Sequence, residues 1–338
     1  MSHSRSSHKQ AKKRKRRKGI IAFLVLFFLL AVGYSGYEYL LGKHRSLSRQ
    51  ASAAEDAPYV ESAKSIYQDT FKGKDNGDDQ WMVLLLGIDQ RGAETSRTDT
   101  IMLAQYDRTT KSTKIASLMR DLYVDIPGHG FNKLNAAFAI GGPELLRETI
   151  EKNFQIEPEY YSIVDFNGFS QIVDILSPDG LEIDVEKDMQ YVSGDETTNI
   201  NLKEGVQTLN GEELLGYVRF RSDARGDFGR VERQQKVLSL LKDEILSFQG
   251  VLKTPRLIGS IQPYIDTNIS SDKVLQAGKD ALMGSIEDMD MLSIPTDDNV
   301  WNERKNYPVG LVLNHDRPKT AATLHQFFGT QIKKPDVR

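Results

Sequence analysis

Residues 20–41 are mostly apolar. Ile20-Ile-Ala-Phe-Leu-Val-Leu-Phe-Phe-Leu-Leu-Ala-Val precedes Gly33, and Tyr34, Tyr37, Tyr39 and Leu40-Leu41 follow. At 1.5 Å per residue such a helix spans roughly 33 Å, which matches the apolar thickness of a bilayer. One transmembrane helix over 19–41 is therefore expected. The pattern then turns polar, rich in Ala, Ser, Lys and Asp, and closes on Lys72-Gly-Lys-Asp-Asn-Gly-Asp-Asp79. Residues 42–78 read as a stalk.

From Trp81 the texture changes again. Trp81-Met-Val-Leu-Leu-Leu-Gly-Ile88 is a short apolar run of the kind a strand buried on both faces shows. Residues 100–106 and 114–119 follow in the same style. Gly141-Gly142 stops a helix predicted over 132–142. Leu145, Leu146, Ile150 and Phe154 have helical spacing within 143–154. A strand over 160–164, a helix over 166–176 and a strand over 181–185 come next. A helix over 211–217 leads into a strand-like 218–221, a Gly-containing loop and a long amphipathic helix over 230–248. Weaker signals run on to Phe328, and no internal repeat is visible. The pattern is mixed α/β.

Composition narrows this. With 338 residues, 39% hydrophobic and 27% charged, the chain holds enough material for one large or two ordinary domains. Cysteine is absent, which excludes disulfides, Cys-type zinc sites and thiol nucleophiles. The net charge of −3 conceals an asymmetry. Residues 1–18 carry nine Lys or Arg and no acid, whereas the other 320 residues carry 35 basic and 47 acidic side chains. A cationic run against a spanning segment places the N-terminus in the cytoplasm and the bulk of the chain outside. Two readings compete: a cleaved signal peptide ending near Ala51-Ser-Ala53, and a nucleic-acid-binding basic tail.

The polar residues gather in two places. One apolar strand ends in Asp89-Gln-Arg91, the next opens with Arg97-Thr-Asp99-Thr, and the third ends in Arg120-Asp121. Antiparallel pairing of these neighbours would deliver Asp89, Asp99, Arg120 and Asp121 to one sheet edge. Asp is also an ordinary turn former. Two carboxylates without Cys or His suit a hard cation such as Mg²⁺, which leaves positions for phosphate oxygens. The second concentration is Arg219-Phe-Arg221-Ser-Asp-Ala-Arg225-Gly-Asp-Phe-Gly-Arg230-Val-Glu-Arg233-Gln234. As a strand, it would send Arg219 and Arg221 to one face. Arg230 and Arg233 in the first turn of a helix oppose its dipole, so an anion should offset them. Two anions qualify: a bound phosphate or diphosphate, or the carboxylates Asp223, Asp227 and Glu232. Lys133 is a further candidate anion contact. The His residues are scattered, and His129 in Pro127-Gly-His-Gly130 reads as a turn residue. Walker, G-x-G-x-x-G and G-x-S-x-G motifs are absent.

Taken in order, Leu-Leu-Leu-Gly-Ile-Asp89-Gln-Arg91, Arg97-Thr-Asp99-Thr-Ile-Met, Ser117-Leu-Met-Arg120-Asp121, Asn132-Lys133 through Gly142, Val-Asp165-Phe-Asn-Gly-Phe and the Arg219 to Gln234 cluster resemble the LytR-CpsA-Psr family of Gram-positive cell-wall enzymes. The resemblance covers about residues 81–247. Ser177-Pro-Asp-Gly180 departs from it, where the family usually has paired glycines.

The resemblance implies an α/β/α sandwich with a central mixed sheet, preceded by one N-terminal transmembrane helix. The implied divisions are a cytoplasmic tail (1–18), a signal-anchor span (19–41), a stalk (42–78), a catalytic core (79–247) and a C-terminal part (248–330). It implies a phosphotransferase that moves an anionic glycopolymer, such as wall teichoic acid or a capsular polysaccharide, from undecaprenyl diphosphate to peptidoglycan and releases polyprenyl phosphate. By resemblance, Asp89 and Asp99 bind Mg²⁺. Asp89, Asp99, Arg120, Arg219 and Arg221 form the catalytic set, and Arg91, Asp121, Lys133, Arg230, Arg233 and Gln234 bind substrate. The alternatives are a polyprenyl diphosphate pyrophosphatase and a non-enzymatic, membrane-bound regulator of the LytR attenuator type.

Overall fold

The computed structural model describes residues 40–44, 67–74, 77, 79–89, 97–192, 199–222, 225–246, 259–283 and 289–332. The expected transmembrane span falls almost wholly outside them. Among the described residues no helix is long and apolar enough to cross a membrane.

A six-stranded mixed sheet forms the centre. Its first three strands are β1 (Gln80–Asp89), β2 (Arg97–Asp107) and β3 (Ser112–Leu118). A hairpin of β4 (Tyr123–Ile126) and β5 (Gly130–Lys133) leads into helix α1 (Leu134–Phe154). Then come β6 (Tyr160–Asp165) and helix α2 (Phe166–Leu176). Two small hairpin-like pairs follow, built from β7 (Leu181–Val185), β8 (Met189–Val192), β9 (Asn199–Leu202) and β10 (Gly205–Leu209). Helices α3 (Gly211–Arg219) and α4 (Gly226–Leu246) follow. The rest is β11 (Asp266–Thr267), α5 (Ser271–Met283), β12 (Met289–Ile294), β13 (Val300–Arg304), β14 (Leu311–His315) and α6 (Arg317–Phe328).

The central order is β11-β6-β1-β2-β3-β12. β1–β2 and β2–β3 are antiparallel, while β1–β6 and β3–β12 are parallel. Residues beyond 248 thus supply both edge strands. The two faces of β1 have different fates. Met82, Leu84, Leu86 and Ile88 are buried in a core shared with α1 and α6. Leu85, Gly87 and Asp89 instead line a cavity on the other face, so the expectation of burial on both faces fails there. A second core, around Val173, Leu214, Tyr217 and Val237, joins α2, α3 and α4 to the β7–β10 strands.

Three local expectations change. The segment 218–221 is not a strand, because α3 runs through Arg219. A capping box at Asn210 and Glu213 starts that helix, and burial of Leu214, Tyr217 and Val218 on one side sustains it. Helix α4 begins at Gly226 rather than 230. Asn132 and Lys133 belong to β5, so the next helix starts at Leu134. That helix breaks at Gly141-Gly142, as the glycines suggested; Gly142 has φ +65° and an added Cβ would meet the Tyr67 ring at 2.9 Å.

Candidate functional site

The charged residues at the end of β1, the start of β2 and just after β3 meet at one end of the sheet. β1 delivers Asp89 at its C-terminus. On β2, Gly87 faces Thr100 but Ile88 faces Thr98, so Asp99 is the extra residue of a β-bulge. Bulges re-aim side chains in this way. The chain leaving β3 brings Arg120. From the helices, α3 contributes Arg219 in its last turn, followed by Arg221, and α4 contributes Arg230 and Gln234. Asp89, Asp99, Arg120, Arg219, Arg221, Arg230 and Gln234 all line a single cavity of about 880 Å³.

The charges interlock. Arg120 donates from Nη1 to Asp99, and its Nε lies 3.8 Å from both Asp121 and Asp227. Burial works against the Arg120 charge, yet Asp99, Asp227 and Asp121 outweigh it and hold its pKa above the ordinary guanidinium value. Arg230 is only 3% exposed. Burial pushes its pKa down to about 10, and Asp227, 3.4 Å away, only partly opposes that fall. Arg219 sits 3.8 Å from Asp89, with its guanidinium 4.1 Å from the centre of the Phe166 ring, a cation–π placement. Arg221 reaches Asp227 at 3.9 Å. Two donors stand out: Arg120 Nε and Arg230 Nε are buried and make no hydrogen bond among the described residues. A buried donor left in that state costs about 1–3 kcal/mol.

Other expected residues lie apart from the cavity wall. Lys133 Nζ and Asp121 pair at 3.0 Å beside Arg120. Arg233 turns inward, bonding Glu186 at 3.0 Å and the carbonyl of Phe220. Phe220 lies between Arg219 and Arg221, so Arg233 fixes the segment that carries them. On the wall itself, Gln234 bonds Thr100 Oγ1 at 2.9 Å. Arg91 lies outside the described residues. Of the carboxylates offered as partners for these arginines, Asp227 contacts Arg230 as expected and also Arg120 and Arg221, which the sequence did not indicate. Sequence reading missed Phe166, whose signal was its place directly after a strand-ending Asp. Arg230 and Arg233 fall in the second turn of α4, with Asp227 in the first; the expected conflict with the helix dipole is therefore absent, and Asp227 suits its position.

Away from this charged rim the wall is apolar: Leu85, Met102, Phe169, Leu215, Val237 and Leu241. An amphiphile with an anionic head matches it. Among the described residues no group of three or more His, Asp or Glu could hold a metal. Mg²⁺ accepts one or two carboxylates when phosphate oxygens and water complete its shell; Asp89 and Asp99 would supply such a pair, so the donor chemistry fits that ion only with a phosphorylated ligand present.

The chain matches the LytR_cpsA_psr family over residues 43–322. It is 46% identical over 233 residues to "Regulatory protein MsrR" of Staphylococcus aureus (strain COL), covering 69% of this chain and 70% of that protein. With "Polyisoprenyl-teichoic acid--peptidoglycan teichoic acid transferase TagT" of Bacillus subtilis (strain 168) it shares 32% identity over 272 residues, 78% of this chain and 82% of the other. Among solved structures, "LytR-CPS2A-psr family protein YwtF (TagT) with bound octaprenyl pyrophosphate lipid" superposes with a TM-score of 0.57 at 27% identity, over 77% of this chain and 94% of that chain.

Proposed function

Because the chain belongs to the LytR_cpsA_psr family, we propose that it is a phosphotransferase that moves an anionic glycopolymer from an undecaprenyl diphosphate carrier to peptidoglycan and releases polyprenyl phosphate. The observation that carries this reading is the convergence of four arginines, Arg120, Arg219, Arg221 and Arg230, on the rim of an apolar cavity. The 32% identical relative TagT supports it, both by its name as a teichoic acid transferase and by its solved structure with bound octaprenyl pyrophosphate lipid.

In this mechanism the prenyl chain fills the apolar wall, and Arg120, Arg219, Arg221 and Arg230 hold the diphosphate. Planar guanidinium forks suit phosphate oxygens. A hydroxyl oxygen of the acceptor attacks the sugar-side phosphorus, a new P–O bond forms, the bridging P–O bond breaks, and polyprenyl phosphate departs. A rim carboxylate takes the hydroxyl proton. The arginines stabilise negative charge that grows on the transferring phosphoryl oxygens and the leaving phosphate. Mg²⁺ held by Asp89 and Asp99 would neutralise part of the diphosphate charge. Arg233 is a positioning residue for Arg219 and Arg221. The cationic residues 1–18 and the apolar 19–41 tether the domain outside the membrane, within reach of a lipid-borne substrate.

The test is release of polyprenyl phosphate by the full chain from a polyprenyl-diphosphate-linked glycan, with Mg²⁺, with and without peptidoglycan strands. Acceptor-dependent release that drops at least 100-fold in Arg120→Ala is expected, consistent with loss of a preorganised electrostatic contact. Equal release without acceptor would favour a pyrophosphatase. No release, with salt-dependent DNA binding by the N-terminal tail, would favour a regulator, the role named for the 46% identical relative.

A further inference from the structure

Next to the rim lies a second surface that the cavity does not use. Leu313 on β14 donates its N–H to the Asp121 carbonyl at 2.9 Å, and Leu122 and Leu313 form a parallel bridge. The β4–β5 and β13–β14 hairpins therefore run side by side from the point where Arg120 enters the cavity.

Directly opposed residues in an antiparallel pair share a face. The pairings Tyr123↔Lys133 and Asp125↔Phe131 place Tyr123, Phe131 and Lys133 on one face of β4–β5. The other face buries Val124 and Ile126 completely. On the neighbouring hairpin Trp301 faces Asn314, and alternation puts Glu303 on the same side. Cations join the two hairpins: Lys305 lies 4.6 Å from the Tyr123 ring centre, and the Arg317 guanidinium 4.3 Å from that of Phe131. Tyr123 and Phe131 stand 5.5 Å apart. Trp301 is 49% exposed and Phe131 42%.

Polar groups around these rings are already oriented. Asn314 donates its side-chain amide to Glu303, which also pairs with Lys305. Arg317 Nε is buried and has no hydrogen-bond partner among the described residues. Exposed flat rings beside fixed amide and carboxylate groups suit a sugar, whose C–H face packs on an aromatic ring while its hydroxyls reach polar neighbours at the edge. Lys133 and Lys305 are already matched by Asp121 and Glu303, which leaves Arg317 as the cation that adds complementarity to a carboxylate. The surface also leads into the reaction site, since Lys133 contacts Asp121 at 3.0 Å and Asp121 lies 3.8 Å from Arg120.

We propose that this face is the acceptor subsite, on which an amino-sugar strand bearing carboxylates lies across Trp301 and Phe131 and presents a hydroxyl to the rim. The assignment rests on the transferase reading and deepens it by separating acceptor recognition from lipid recognition. Donor contacts stay in the cavity, and acceptor contacts fall on the two hairpins.

Purified, uncrosslinked peptidoglycan strands serve as the probe for the full-length chain, by co-sedimentation and by transfer kinetics. Trp301→Ala and Phe131→Ala are each expected to weaken strand binding and raise the acceptor KM about ten-fold, with octaprenyl diphosphate affinity unchanged. Trp301→Phe should restore most of the loss, which a folding defect would not allow. Unaltered strand binding and acceptor KM in the two alanine variants would overturn the subsite, as would a parallel fall in octaprenyl diphosphate affinity. The two readings fail separately. Strands bound through Trp301 without any glycopolymer transfer would sink the transferase and leave the subsite. Transfer with wild-type acceptor KM in Trp301→Ala would do the reverse.

Discussion

At the scale of single residues, the rim sets partly exposed charges around one buried guanidinium. That group is Arg230. At 3% exposure its guanidinium has given up water, and Asp227 at 3.4 Å returns only part of that loss. Removing one partner of a buried ion pair leaves the other charge short of compensation and is destabilising. Arg230→Met strips Asp227 of its nearest cation and should therefore lower the Tm of the unliganded protein, by an amount equivalent to roughly 3 kcal/mol. Thermal melts with octaprenyl diphosphate should show a ligand-induced shift in the wild type and a much smaller one in the variant. The pH dependence has a definite sign. A guanidinium whose pKa is lowered to about 10 loses its charge as pH rises through that value. Diphosphate affinity measured by titration should fall there, well below the pH at which an exposed arginine would discharge.

At the scale of elements, close packing shapes the cavity wall. Helices α2 and α3 approach so closely that a Cβ on Gly211 would sit 2.1 Å from the Ser170 carbonyl oxygen. Backbone cannot yield as a flexible side chain does. Gly211→Ala should cost about 1–3 kcal/mol, read as a lower denaturation midpoint, and should weaken prenyl diphosphate binding because both helices line the pocket. On the opposite side His315 anchors β14. It is 3% exposed, and burial pushes its pKa down to about 4. The unfolded chain binds this proton near 6.5, the fold only near 4. Its contribution is whole above pH 6.5 and is lost as pH falls toward 4, up to about 3 kcal/mol. His315→Gln should flatten the stability profile measured by urea titration across that window.

At the scale of the whole molecule, one sheet separates two kinds of interior. The face toward α1 and α6 is close-packed core. The face toward α2, α3 and α4 keeps about 880 Å³ open beneath the charged rim. If that space takes a prenyl chain, each buried CH₂ adds about 0.8 kcal/mol. Affinity for prenyl diphosphates should climb with chain length until the cavity is full and then level off. Calorimetric titration with a length series checks this, and a flat series would mean that the apolar wall contacts no lipid.

Read alone, the sequence determined which elements exist and what chemistry sits at their ends. Apolar runs ending in Asp89 and Arg120 announced strands with charged tips, and Phe166 to Leu176 announced its helix, because hydrophobic period reports which side of one element meets the core. It also exposed the concentration of arginines after Arg219. Short signals misled it: four alternating residues at Val218 to Arg221 resembled a strand, but burial of Leu214, Tyr217 and Val218 in the second core decided for helix. Only the tertiary structure decided which charges meet. It turned Asp99 through a bulge, set Asp227 among Arg120, Arg221 and Arg230, turned Arg233 inward, and brought Gln234 within 2.9 Å of Thr100 across 134 residues of chain. Periodicity carries no information about such distances, because they follow from how helices pack on a sheet and not from the repeat within any one of them.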